Sequence, residues 1–68
     1  MAVSARNQLK GEITDIVLGT VMAHITIRVG ENLIESVITR RSADELNLKK
    51  GDSVTAVIKA TEVLVAKP

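Results

Sequence analysis

Hydrophobic residues along this chain recur mostly at every second position, the period of a half-buried β-strand. The clearest case follows Gly19, where Val21, Ala23, Ile25, Ile27 and Val29 alternate with Thr20, Met22, His24, Thr26 and Arg28 and predict a strand with one aliphatic face. Before it, Leu9 to Leu18 carries apolar side chains at Leu9 and Ile13, then at Ile16 and Leu18. That change of phase predicts a first strand, curved by a bulge near Thr14-Asp15. Gly30-Glu31-Asn32 supplies a hairpin loop, and Leu33 to Thr39 returns as a third strand with aliphatics on both faces. Ser53 to Lys59 alternates again, Val54, Ala56 and Ile58 against Thr55, Val57 and Lys59, and predicts a fourth. Val63-Leu64-Val65-Ala66 is apolar at every position, so neither face suits water; a fifth strand covered by a subunit partner is expected there.

One segment breaks the period of two. Ser42-Ala43-Asp44-Glu45 has the spacing of a capping box, Ser42 accepting from the Glu45 amide while the Glu45 carboxylate reaches back, and predicts a short helix to about Leu48. Lys49 and Lys50 suit its C-terminal end, and Gly51 suits a left-handed turn after it. Five short strands with one helix between the third and fourth follow the element order of an OB-type barrel, so the expected class is all-β. No internal repeat, linker or low-complexity tract divides the chain, which reads as one domain over residues 1–68.

Composition adds an expectation of self-association. A chain of 68 residues is small, and chains near that size bury only about 60% of their unfolded surface. There are no cysteines and a single histidine, so disulfides and a structural zinc site are absent as staples. A homo-oligomer is the remaining one, and the 46% hydrophobic content, carried by Val, Ile, Leu, Ala and Met, suits it. No apolar stretch approaches the roughly 20 residues of a bilayer span, and no signal-peptide pattern opens the chain, so a cytoplasmic location and no membrane partner are expected. The absence of Phe, Trp and Tyr removes base-stacking platforms, and a net charge of +1 leaves little phosphate attraction; nucleic acid is a poor partner.

Two polar clusters carry the chemistry. Ser4-Ala5-Arg6-Asn7-Gln8-Leu9-Lys10-Gly11 packs hydroxyl, guanidinium, amide and ammonium donors just before the first strand, and alternation puts Ser4 and Arg6 on one side of an extended chain, where one oxyanion meets both. An ordinary polar N-terminal arm reads the same way. Lys59-Ala60-Thr61 lies at the connection after the fourth strand, where backbone amides and the Thr61 hydroxyl converge beside an ammonium; a solvated turn with its usual lysine is the alternative. His24 lacks a second metal-ligating partner and reads as a strand-face residue. Glu12, Glu35 and Glu62 lack a nucleophile beside them, so no enzyme is expected, and Glu62 is expected to turn away from the cradle or pair with a cation.

SARNQLKG and the later IKATEVLV, in this order, resemble the two motifs of the molbindins, the Mop-family molybdate- and tungstate-binding proteins related to TOBE-type domains. The likeness spans essentially the whole chain, including the Gly19 hairpin and the apolar C-terminal segment. It implies a five-stranded OB-like barrel that exchanges strands between subunits, and a homohexamer built as a trimer of dimers. Molybdate or tungstate is the ligand it implies. Ser4, the Ala5 amide, Arg6 and Asn7 would bind from one subunit, and Lys59, the Ala60 amide and Thr61 from a neighbour. Many relatives carry serine where this chain has Ala60, so one hydroxyl donor is missing. The family's second class of site, near a threefold axis, makes Gly19, Thr20 and Val21 candidates.

The resemblance and the donor chemistry agree. A tetrahedral dianion offers only acceptors, and a site made only of donors satisfies it without a covalent step, whereas hydrogen phosphate also presents a proton that needs an acceptor. Sulfate has no such proton and must be excluded by cavity size. The expected function is therefore intracellular binding and storage or buffering of molybdate or tungstate. A nucleic-acid-binding OB module and a purely structural oligomerisation domain are the alternatives.

Overall fold

The computed structural model describes residues 3–68. Strands β1 (Asn7–Leu18), β2 (Met22–Val29) and β3 (Asn32–Thr39) lead into a short helix α1 (Arg40–Glu45), followed by β4 (Ser53–Ile58) and a single 3₁₀ turn over Ala60–Glu62. The strands form one antiparallel sheet in the order β3-β2-β1-β4. Strand β1 is shared: Asn7 to Glu12 pairs with β4, and Glu12 to Leu18 pairs with β2.

The bulge falls where the hydrophobic phase changes. The register runs Ile13 opposite Ile27 and then Asp15 opposite Thr26, leaving Thr14 as the extra residue. Three residues on β1 thus span two on β2, and Ile13 and Ile16 both point inward opposite Ile27 and Ile25. Ile13, Ala23, Ile25, Ile27, Ala43 and Ala56 are buried, with Ile16, Val29, Ile34, Ile38, Leu48 and Val54 packed around them. Of the expected β2 face, Ala23, Ile25 and Ile27 are therefore core, whereas Val21 precedes the strand and is 72% exposed. The β2–β3 connection is a two-residue turn between Val29 and Asn32. Gly30 has a φ of 61° and Glu31 a negative φ, the type II′ pattern that matches the twist of the strands.

Helix α1 starts earlier than the capping-box reading. Its N-cap is Thr39, whose hydroxyl accepts from the Ser42 amide at 3.0 Å, so Ser42 lies inside the first turn. Glu45 pairs with Arg41 one turn back instead of capping. The left-handed residue that ends the helix is Asn47, with a φ of 51°, not Gly51. The Leu48 amide donates to the Ala43 carbonyl at 3.2 Å and the Asn47 amide to the Asp44 carbonyl at 3.0 Å, a Schellman pattern with Leu48 and Ala43 packed together in the core. Gly51, with a φ of 94°, instead serves a type II turn closed by the Asp52 amide on the Lys49 carbonyl at 3.1 Å.

The fifth strand expected at Val63–Ala66 does not form in the single chain. The segment has no ladder partner among the described residues and is exposed, with Leu64 and Val65 each at 93%. A strand exists only through pairing, and among the described residues β3 and β4, the sheet's two edges, have no partner on their outer sides. The sheet curls so that both edges line one groove. Ser36 and Ile38 of β3 and Ser53, Val54 and Thr55 of β4 border a cavity of about 570 Å³, and further along Ile34 and Val37 meet Ala56, Val57 and Ile58 around another of about 630 Å³.

Candidate functional site

The β1–β4 ladder ends with Asn7 opposite Ile58. In an antiparallel pair the residues just before one strand and just after the other leave the sheet at the same end. Ser4, Ala5 and Arg6 therefore emerge beside Lys59, Ala60 and Thr61, and these residues line a shallow pocket of about 200 Å³. The water share of liquid volume is about 30 Å³, so a tetrahedral oxyanion has room there. Both sequence clusters meet in one chain, although the resemblance draws them from two subunits; the register of a single ladder is the reason. Asn7 is the first residue of β1 and does not line the pocket.

The pocket's charge is positive. Among the described residues the ion pairs are His24–Glu35, Arg28–Glu12, Arg40–Asp44 and Arg41–Glu45, and none engages Arg6 or Lys59. No carboxylate is among the lining residues. Glu62, next to the cradle in sequence, borders the β3–β4 groove instead. The 3₁₀ turn explains this: the Glu62 amide donates to the Lys59 carbonyl at 2.9 Å, which folds the chain back after Thr61. Among the described residues the Ala60 and Thr61 amides have no backbone acceptor, and neither do those of Ala5 and Arg6. The site thus joins two cations, the Ser4 and Thr61 hydroxyls and free backbone N–H groups, a donor set suited to an acceptor-only anion.

Gly19, Thr20 and Val21 form the exposed β1–β2 connection, away from this pocket. The Gly19 amide donates to the Met22 carbonyl at 2.8 Å. Arg40 holds the loop from α1: its amide donates to the Val21 carbonyl at 2.7 Å and its Nη1 to the Gly19 carbonyl at 3.2 Å. This role of Arg40 has no local signal in the sequence, because the partners are 21 residues apart. His24 bonds the Glu35 carboxylate on the exposed sheet face, and among the described residues no cluster of His, Asp and Glu is arranged to hold a metal ion. Nor is any helix among them long and apolar enough to cross a membrane.

Comparison with known proteins gives the site its context. The TOBE domain family matches residues 3–65. Molybdenum-pterin-binding protein 1 of Clostridium pasteurianum is 42% identical over 66 residues, 96% of this chain and 97% of its own length. A molybdate-binding protein from Sporomusa ovata superposes with a TM-score of 0.94 at 43% identity, covering 98% of this chain and 100% of that one. The cytoplasmic molybdate-binding protein ModG, in a form with molybdate bound, superposes with a TM-score of 0.81 at 41% identity over 88% of this chain and 43% of that one. With its sheet, its helix and nearly its full length shared with these proteins, the chain belongs to the TOBE domain family and, within it, to the Mop molybdenum-pterin-binding proteins.

Proposed function

We propose that this protein binds molybdate or tungstate in the pocket formed by Ser4, Ala5, Arg6, Lys59, Ala60 and Thr61, and that Asn7 supports it from the start of β1. The observation that carries this reading is the convergence of Arg6 and Lys59 on one pocket without a lining carboxylate. The relatives named as molybdate-binding support the choice of anion. Binding is electrostatic and hydrogen-bonded, with no covalent step, so the role is storage or buffering of the oxyanion in the cytoplasm rather than catalysis. Isothermal titration with molybdate, tungstate, sulfate and phosphate tests it. Saturable heat with the first two and a weaker response to the others is expected; no heat with molybdate or tungstate ends the reading.

The assembly follows from the groove between β3 and β4. In this reading the Val63–Ala66 segment of a second copy enters it as the fifth strand, completing an OB-like barrel by exchange between subunits. Three such dimers make the homohexamer, with Gly19, Thr20 and Val21 contributing to a second class of anion site. The exposed apolar tail and the two unpaired strand edges support the exchange.

A further inference from the structure

Gln8 belongs to the donor-rich opening motif, yet it does not line the pocket. It is the second residue of β1, opposite Val57, and its Nε2 reaches back to donate to the Ala5 carbonyl at 3.0 Å. This contact closes a turn over the residues that border the pocket. In a trans peptide the carbonyl of one residue and the N–H of the next point in opposite directions. Fixing the Ala5 carbonyl on Gln8 therefore fixes the Arg6 N–H away from Gln8, and that N–H has no backbone acceptor among the described residues. An unheld Ala5–Arg6 peptide could rotate and turn a carbonyl oxygen, an acceptor, toward an anion that also offers only acceptors.

We infer that Gln8 is a positioning residue of the oxyanion site: its side-chain amide locks the Ala5–Arg6 peptide so that the Arg6 N–H, with the guanidinium, stays available to the anion. This rests on the proposed oxyanion function. Neither composition nor strand periodicity assigns Gln8 such a role, since its place on β1 alone reads as a solvated strand residue.

The test uses the full chain with Gln8→Met, which keeps the length of the side chain but removes the donor, and Gln8→Ala. Titration with molybdate and with tungstate should show affinity reduced about three- to tenfold, the equivalent of one hydrogen bond, while melting temperature and oligomer mass stay at wild-type values. In the ligand-free protein, ¹⁵N relaxation should show order parameters falling at Ala5–Asn7 and not at Val54–Ile58. Wild-type affinity in both variants overturns the inference while leaving the oxyanion reading intact. Equal loss of affinity, melting temperature and assembly also overturns it, because Gln8 is then a structural residue. Failure of the wild type to bind either anion sinks the oxyanion reading and this inference with it.

Discussion

A Cβ placed on Gly11 would meet the Arg28 carbonyl oxygen at 2.5 Å and the Ile27 Cγ2 at 2.7 Å, so the β2 backbone can approach β1 here only because no side chain intervenes. The position matters because Gly11 lies beside Glu12, where β1 passes from β4 to β2. Gly11→Ala should cost about 1–3 kcal/mol as an overpacked site, seen as a lower denaturant midpoint with an unchanged slope at fixed protein concentration. Arg6 and Lys59 make a different residue-level claim. Each contributes one charge to an exposed pocket, so Arg6→Ala and Lys59→Ala should each weaken molybdate binding about tenfold, the low end for a charge-assisted contact. Oligomer mass should not change in either variant; loss of assembly would favour Arg6 and Lys59 as interface ion-pair residues with no ligand. The two clusters were legible because each is contiguous in sequence. Their meeting in one chain was not, since it depends on Asn7 standing opposite Ile58.

Helix α1 shows how a correct pattern can be placed three residues late. Ser42-x-x-Glu45 has capping-box spacing, but Thr39-x-x-Ser42 precedes it and engages first: the Thr39 hydroxyl accepts from the Ser42 amide and donates to the Ser42 hydroxyl at 2.9 Å. Thr39 ends β3 and caps α1 at once, so sheet pairing fixes where the helix begins. Thr39→Ala should cost about 0.5–2 kcal/mol, whereas Ser42→Ala, which keeps the capped amide, should cost less than half as much. Parallel denaturant melts decide it; the opposite order would return the cap to Ser42. The body and the end of strand β2 were readable because strict alternation over a buried face leaves one register, whereas its start lies at Met22, two residues after the Thr20 where the alternation begins. The β1 bulge was readable because the apolar phase shifts there. The helix start was obscured by tertiary pairing, which local spacing does not encode.

At the scale of the molecule, the buried core among the described residues is six small or aliphatic side chains, while Val63, Leu64 and Val65 are exposed. Full burial of one Val or Leu side chain is worth about 1.5–3 kcal/mol, a large share of the stability of a chain this short. The β3–β4 groove offers apolar walls and two unpaired edges, so the tail of a second copy would bury side chains and complete ladders together. Among the described residues the tail's own chain gives it no ladder partner, and the cover by a second subunit that its uninterrupted apolar run leads one to expect is what an assembly experiment tests. If exchange of this segment builds the assembly, a chain ending after Glu62 should lose it, and Leu64→Asp should weaken it without removing the backbone. Native mass spectrometry of the full chain, the shortened chain and Leu64→Asp, each with and without molybdate, reads subunit number and bound anions together. A hexamer from the full chain, with smaller species from both variants, is the expected result. Hexamers from the shortened chain would exclude the tail from the interface. A full chain that remains monomeric at high concentration would remove the assembly altogether, leaving the Arg6–Lys59 pocket to bind its anion within one chain.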